Sequence, residues 1–256
     1  MFPIRDDNPQ VNKPIAVYSI IALNAMAWLV LQGAGFGEQL NNSICQFGLI
    51  PADLFSNELL NPSKKTVCAG GGAGLFGVLS SMFMHGGWMH IIGNMWFLWV
   101  FGDNVEDSMG SLRFIVFYLL CGLCAVVAQV AADPNSTIPM VGASGAIGGV
   151  MGAYIMLFPR VKVHLAVILI IIFTTFRVPA FAMLGYWIAI QFLGGITSIG
   201  STGGGVAFWA HIGGFLGGAA LVWLFKDEEL LLNHPYHGWQ QQTRSADIWS
   251  DPRNRE

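Results

Sequence analysis

The chain has 256 residues, of which 54% are hydrophobic and only 11% are charged. Soluble globular domains carry about 25% charged residues, so this composition excludes an ordinary soluble domain. The formal net charge of −3 and the absence of a basic stripe argue against a nucleic-acid partner. The apolar residues gather into blocks near membrane-spanning length, which predicts a polytopic protein embedded in the lipid bilayer.

Apolar blocks occupy most of the chain between a polar N-terminal segment, 1–14, and a polar tail, 227–256. The first block, 15–31, has no clear cleavage site after it, so we expect a retained helix rather than a signal peptide. Residues 32–75 are rich in turn and loop residues, and the tail is expected to be peripheral or disordered. The other blocks are 88–101, 114–132, 144–158, 163–176, 178–197 and 206–225.

The block 163–176 decides the number of spans. As a helix it would reach about 21 Å, which is short of a hydrocarbon core about 30 Å thick. It is rich in β-branched residues and is closed by Arg177 and Pro179, so we expect a non-spanning segment near the interface or against the bundle. The prediction is therefore an all-α polytopic membrane protein in which residues 15–226 form a six-transmembrane-helix bundle.

The distribution of basic residues gives this bundle an orientation. With six spans, most Lys and Arg residues lie on the same side as both termini, and the positive-inside rule makes that side cytoplasmic. These residues are Arg5, Lys13, Arg113, Arg160, Lys162, Arg177 and Lys226. Lys64 and Lys65 are contrary charges in a loop on the other side. The compact six-span form predicts the inner membrane of a prokaryotic cell.

Four cysteines are too few for a disulfide framework. Cys45 and Cys68 share the polar stretch after the first block, and they would form a disulfide if that stretch faces an oxidising compartment. Cys121 and Cys124 lie at CxxC spacing inside an apolar block, where we expect small helix-packing residues.

Polar groups inside membrane spans are costly and usually functional. Ser144 lies in GASG at the start of the fourth span, and His211 lies in AHIGG near the start of the sixth. These spans run in the same direction, so both residues lie just below the same non-cytoplasmic face. Ser144 alone could be a small packing residue, but the pair predicts a nucleophile with its general base. Residues 134–226 contain no Asp or Glu, which favours a dyad.

Glycine spacing on the two spans supports their close approach. Small residues four apart let helix backbones come together in lipid. The pairs are Gly145–Gly149 and Gly148–Gly152 on the fourth span, and Gly213–Gly217 and Gly214–Gly218 on the sixth. Generic helix packing would explain this pattern, and so would a role in bringing Ser144 to His211.

The stretch HGGWMHIIGN contains His85, His90 and Asn94. His90 and Asn94 are four residues apart and share a helix face, so with the Ser144 backbone N–H they are candidate donors to an oxyanion. The alternative is a metal site formed by His85, His90 and His211. No HExxH motif or carboxylate ligand accompanies these histidines, so no metal is predicted.

Taken together, four motifs resemble the rhomboid family of intramembrane proteases. They are HGGWMHIIGN (85–94), the GxxxE of Gly102–Glu106, GASGAIGG (142–149) and AHIGGFLGG (210–218). The resemblance implies that Ser144 is the nucleophile, that His211 is the base, and that His90 and Asn94 bind the oxyanion. It implies supporting roles for His85, Glu106, Gly142 and Gly145. It also implies that single-pass membrane proteins are cut within or beside their transmembrane segments, without a cofactor.

Two positions depart from the family pattern. Many members carry an aromatic residue four positions after the serine, where this chain has Gly148, and many carry a Trp-Arg pair in the first loop, whereas residues 33–87 contain no Arg. The first departure concerns the orientation of His211, and the second concerns the anchoring of the loop.

The alternative functions are a non-catalytic rhomboid-like protein that binds membrane clients and a small-solute transporter. The first would typically lack Ser144 or His211, and the second would be expected to show an inverted repeat.

Overall fold

The computed structural model describes residues 2–55, 68, 72–169, 172–198 and 205–236. Lys64, Lys65 and residues 237–256 of the tail lie outside the described residues. The helices are α1 (Ile15–Met26), α2 (Gly37–Phe47), α3 (Pro51–Phe55), α4 (Gly77–Ser80), α5 (Trp88–Asp107), α6 (Ser111–Ala132), α7 (Ser144–Leu157), α8 (Ala180–Ser198), α9 (Phe208–Phe225) and α10 (Glu228–Asn233). The strands are β1 (Phe2–Asp6), β2 (Lys162–Leu169) and β3 (Ile172–Pro179).

The long helices confirm a mainly helical membrane protein. The helices α6, α8 and α9 are long and apolar enough to cross a bilayer by themselves. The α5 helix qualifies together with the bent segment Gly74–Phe83 that precedes it. Two shorter apolar helices are Ile15–Leu31, which is α1 with its π-helical continuation, and α7. The number of spans stays a prediction.

At the centre of the bundle, α7 and α9 pack with their backbones in direct contact. A Cβ added to Gly214 would overlap the carbonyl oxygen of Gly145, and one added to Gly218 would overlap that of Gly149. From the other side, a Cβ at Gly213 would overlap Ala128 of α6. Only glycine permits this spacing, so the paired glycines of the sequence fix the distance between the two helices that carry Ser144 and His211.

The described residues of 163–176 lie in two β-strands rather than in a helix, so a small sheet accompanies the helices of this mainly helical chain. The strands β2 and β3 pair antiparallel, and β1 pairs antiparallel with β2, giving the order β1-β2-β3. The β-branched residues that made this segment a poor spanning helix favour strands. As expected, the described part of the segment does not form a spanning helix. The sheet lies at the end of α7 opposite to Ser144, because β2 follows the C-terminus of that helix.

The N-terminal strand is fixed to the bundle by acidic side chains. The Tyr154 hydroxyl of α7 hydrogen-bonds with Asp6, and His164 Nε2 of β2 lies 2.6 Å from Asp7 Oδ1. Burial raises the pKa of Asp6 to about 6. Desolvation is the largest single effect on Asp7 and raises its pKa, but the hydrogen bond from His164 and the charges of His164, Arg177 and Arg5 together outweigh it and leave the pKa below its usual value. Both pKa shifts follow from the packing of the N-terminal segment against β2 and the end of α7.

Glu106 holds the start of α1. Its two carboxylate oxygens accept hydrogen bonds from the backbone N–H groups of Ala16 and Val17, each at 2.9 Å. These N–H groups belong to the first turn of α1 and have no partner within that helix. The glutamate of the GxxxE motif therefore has a structural position, far along α5 from His90.

The described part of the stretch 32–75 is more ordered than its turn-rich composition indicated, because it contains α2 and α3. A disulfide joins Cys45 to Cys68. Gln32 accepts a hydrogen bond from the backbone N–H of His85 and donates one to its carbonyl, both at 2.8 Å. These contacts join the start of this stretch to the residues just before α5.

The beginning of the tail is packed against the bundle. Asp227 caps α10 by accepting from the backbone N–H groups of Glu229 and Leu230. Leu231 and His234 are buried, and the His234 ring lies 5.0 Å from that of Phe158.

Candidate active site

Ser144 and His211 meet at one end of the bundle. Ser144 is the first residue of α7, and His211 lies in the first turn of α9. The distance between Ser144 Oγ and His211 Nε2 is 2.7 Å, which is that of a good hydrogen bond. The structure thus brings together two residues that are 67 positions apart in the sequence. This contact is possible because both helices run in the same direction and begin at the same end of the bundle.

The backbone just before Ser144 requires a glycine. Gly142 has a φ of 129°, in the region that favours glycine, and its N–H donates to the Ser81 carbonyl at 2.8 Å. A Cβ at this position would lie 2.7 Å from His90 Nε2. Gly142 therefore lets the His90 ring approach the chain beside the serine. Gly145 has a different role, since its missing side chain leaves room for Ala125 of α6.

His90 directs one ring nitrogen toward the serine. Its Nδ1 accepts a hydrogen bond from the Gly86 backbone N–H at 3.2 Å, so the proton of the neutral ring lies on Nε2. That nitrogen faces Gly142, two residues before Ser144. The His85 ring packs edge-on against His90 with 5.2 Å between centroids, which supports the ring from behind.

Asn94 lies one helical turn beyond His90 on α5. Its side chain is only 8% exposed, and its Nδ2 has no hydrogen-bond partner among the described residues. A buried, unpaired amide donor is costly in a protein interior. The Ser144 backbone N–H adds a third donor, since it lies in the first turn of α7, where N–H groups have no helical partner. His90, Asn94 and Ser144 all line one cavity.

Two side chains of α8 contact His211, and neither was singled out in the sequence. His211 Nδ1 lies 2.8 Å from Gln191 Oε1, and the Trp187 ring lies 5.7 Å from the imidazole, tilted by 34°. The signal for Gln191 was a lone amide in the apolar block 178–197. The position four residues after the serine is closely packed, because a Cβ at Gly148 would lie 3.1 Å from the His211 carbonyl oxygen. Trp187 supplies a ring near His211 from another helix.

These residues surround a cavity of about 460 Å³. Its polar lining consists of His90, Asn94, Ser144 and His211, and the remainder comes mainly from apolar residues of α5, the loop before α7, α7, α8 and the approach to α9. The lining residues are Gly86, Met89, His90, Gly93, Asn94, Phe97, Pro139, Met140, Val141, Ser144, Ile147, Met151, Trp187, Gly205, Val206, Ala207 and His211. Within the described chain, no group of three His, Cys, Asp or Glu residues has metal-ligand geometry. The arrangement suits proton transfer from a hydroxyl to an imidazole beside several hydrogen-bond donors.

Comparisons with known proteins agree on one family. The Rhomboid domain model matches residues 73–228, more than half of the chain. RHOMBOID-like protein 7 of Arabidopsis thaliana is 27% identical over 195 residues, which is 73% of this chain and 55% of that protein. Rhomboid protease GluP of Bacillus subtilis (strain 168) is 30% identical over 214 residues, or 83% of this chain and 36% of that protein.

A mitochondrial relative has a similar level of identity. Rhomboid protein 1, mitochondrial, of Saccharomyces cerevisiae (strain ATCC 204508 / S288c) is 28% identical over 157 residues, which is 57% of this chain and 40% of that protein. The matches thus span from about a third to about half of the length of these three relatives.

Proposed function

Because this chain belongs to the rhomboid family, we propose that it is an intramembrane serine endopeptidase with a catalytic dyad of Ser144 and His211. The observation that carries the proposal is the 2.7 Å contact between Ser144 Oγ and His211 Nε2 beside a cavity in an apolar bundle. A serine hydroxyl becomes a nucleophile when an adjacent base accepts its proton, and a neutral imidazole is such a base.

The proposed reaction is acyl transfer to the serine. Ser144 Oγ attacks the carbonyl carbon of the scissile peptide bond while its proton passes to His211 Nε2. The proton then passes to the leaving amine, which releases one half of the substrate and leaves an acyl-enzyme. A water molecule, deprotonated by the same imidazole, attacks the ester and regenerates Ser144.

Oxyanion stabilisation is assigned to three donors. These are the Nε2–H of His90, the Nδ2 amide of Asn94 and the backbone N–H of Ser144, whose residues line the same cavity. Donors fixed in a site of low dielectric constant stabilise developing negative charge without having to reorganise. The unpaired amide of Asn94 supports this assignment, because it has a donor to offer at the cavity wall.

The proposed substrates are single-pass membrane proteins, cut within or beside their transmembrane segments. We propose six spans, which are α1, α5 with the bent segment Gly74–Phe83 before it, α6, α7, α8 and α9. Both termini then lie in the cytoplasm, as expected for a prokaryotic inner membrane. The active site then opens toward the non-cytoplasmic face. The disulfide of Cys45 and Cys68 supports this orientation, because that loop lies at the Ser144 end and disulfides persist in oxidising compartments.

The test is activity-based labelling of the full chain in membranes. A fluorophosphonate probe forms a covalent bond only with an activated serine, so the wild type is expected to be labelled, and Ser144→Ala and His211→Ala are expected to remain unlabelled. Each variant should also fail to cleave a model single-pass substrate while keeping the thermal midpoint of the wild type within a few degrees. Ser198→Ala is the matched control, because this serine lies at the end of α8 and hydrogen-bonds to Gly195.

Labelling and cleavage by the control are expected to equal those of the wild type. The proposal fails if wild-type protein is neither labelled nor able to cleave, or if folded Ser144→Ala remains active.

A further inference from the structure

The imidazole of His211 is held on both sides. Its Nε2 faces Ser144 Oγ, and its Nδ1 lies 2.8 Å from Oε1 of Gln191, which comes from the middle of α8. Gln191 is only 7% exposed, so water does not compete freely for its amide. In a Ser-His-Asp triad, the group at Nδ1 is a carboxylate that fixes the tautomer of the imidazole. Here residues 134–226 contain no Asp or Glu, and the neighbour of Nδ1 is a neutral amide.

The orientation of the Gln191 amide is set by its second contact. Its Nε2 donates to the backbone carbonyl of Trp187 at 3.3 Å, one turn earlier on α8. A carbonyl only accepts, so the NH₂ group must face Trp187 and the oxygen must face His211. An amide oxygen also only accepts, so the proton of the neutral imidazole is on Nδ1. Nε2 is then unprotonated and able to accept the Ser144 proton.

We propose that Gln191 is the positioning residue of the dyad, selecting the Nδ1–H tautomer of His211 and aiming its Nε2 at Ser144. This inference rests on the proposed protease function and extends it to a third side chain. Trp187 contributes from the same helix by packing its ring beside the imidazole. The helix α8 thereby orients the base, although it carries neither reacting group.

A neutral amide and a carboxylate differ in one measurable respect. Both accept the Nδ1–H bond, but only the carboxylate adds a negative charge that favours the protonated imidazole. Gln191→Glu should therefore keep the orientation of His211 and shift the pH at which the base becomes active. Gln191→Met keeps the length of the side chain and removes the oxygen that accepts the Nδ1–H bond. The imidazole of His211 should therefore lose its fixed orientation. A purely structural glutamine predicts altered stability with neither change.

The experiment measures the rate of fluorophosphonate labelling of the full chain against pH, in liposomes, together with the thermal midpoint. Gln191→Met is expected to lower the maximal rate by about tenfold or more, with the roughly 10²–10⁴-fold contribution of a general base as the upper limit. Gln191→Glu is expected to retain labelling within a few-fold and to move the half-maximal rate to higher pH, because a protonated imidazole is not a base. Among the described residues lining the cavity, His90 is the other titratable side chain, and it is unchanged in every variant.

Gln129→Met is the matched control. Gln129 also contacts the start of α9, since its Oε1 accepts from the Ala210 backbone N–H at 3.2 Å, but it does not bond to His211. Its maximal rate should stay within about twofold of the wild type, with an unmoved pH profile, because the general base is intact.

Three outcomes overturn the inference: a wild-type rate in folded Gln191→Met, an unmoved pH profile in active Gln191→Glu, or equal effects of the Gln129 and Gln191 substitutions. Each of these leaves the proposed function standing if wild type is labelled and Ser144→Ala is not. If wild type itself is not labelled, the proposed function fails first.

Discussion

At the scale of single residues, the tautomers of two histidines are set by neighbours that only donate or only accept. The Gly86 N–H forces the proton of His90 onto Nε2, and the Gln191 oxygen holds the proton of His211 on Nδ1. One ring thus offers a donor near Ser144 and the other a lone pair. Two residues of one type take opposite chemical roles because their second nitrogens have different partners.

The donor role of His90 and Asn94 gives a prediction on rate. Asn94→Ala and His90→Ala should each lower kcat, and the loss should be smaller than the roughly 10²–10³-fold seen for one donor in a soluble protease, because two donors remain. The double variant should fall to near background. The measurement is kcat per titrated active site on a model single-pass substrate, with the thermal midpoint recorded beside it.

The matched control is Asn104→Ala. Asn104 is another buried asparagine on α5 without a side-chain partner among the described residues, but it lies near the opposite end of the helix. Its titrated kcat should equal that of the wild type. An unchanged titrated kcat in the double variant, with only a lower thermal midpoint, would mean that both side chains are structural.

The sequence indicated the reacting pair because polar residues in apolar blocks are rare and noticeable. Gln191 is also a polar residue in an apolar block. A single amide forms no motif, however, so the sequence did not link it to His211, which is 20 residues away. The contact depends on the rotation of α8 about its axis, which is a result of packing. Trp187 was hidden for a similar reason, because aromatic residues are ordinary in membrane helices.

At the scale of elements, the catalytic geometry depends on how closely α7 and α9 pack. Gly214→Ala adds a Cβ that would overlap the Gly145 carbonyl oxygen, and Gly145 is next to Ser144. The helices must separate, and a displacement of about 1 Å can cost about 10² in rate. We expect the labelling rate to fall by more than tenfold, with a smaller proportional loss of thermal stability.

Gly185→Ala on α8 is the control for this substitution, because a Cβ there meets no atom within 4 Å. It should leave the labelling rate unchanged, and the better helix propensity of alanine should leave the thermal midpoint equal or slightly higher. Equal labelling rates in the two alanine variants would show that close packing of α7 and α9 does not set the site.

The sequence pattern did not predict the pairing of β2 with β3 and β1. Length and β-branched content excluded a spanning helix for 163–176, but they did not supply a partner for its backbone groups. The partner comes from the far end of the chain, since β1 pairs with β2. A pairing between residues more than 150 positions apart cannot be inferred from local propensity.

At the scale of the whole molecule, the two ends of the bundle differ in chemistry. Among the residues that the structure describes, the basic side chains lie mostly at the sheet end, which also carries surface ion pairs such as Arg113 with Asp227 at 3.1 Å. The other end carries the disulfide, the cavity and the Ser144–His211 pair. This polarity follows the direction of α7, which begins at the serine and ends beside the sheet.

The shortest of the proposed spans is α7, because its 14 residues cover only about 21 Å. If α7 nevertheless crosses the membrane, positions 135 and 160 that flank it face opposite compartments. Both Asn135 and Arg160 are exposed in the folded chain. A membrane-impermeant maleimide should therefore label Asn135→Cys in intact spheroplasts and should label Arg160→Cys only after permeabilisation.

The wild type measures the background labelling from the free thiols of Cys121 and Cys124. Labelling of both introduced cysteines from the same side would remove α7 from the set of spans and would overturn the six-span topology.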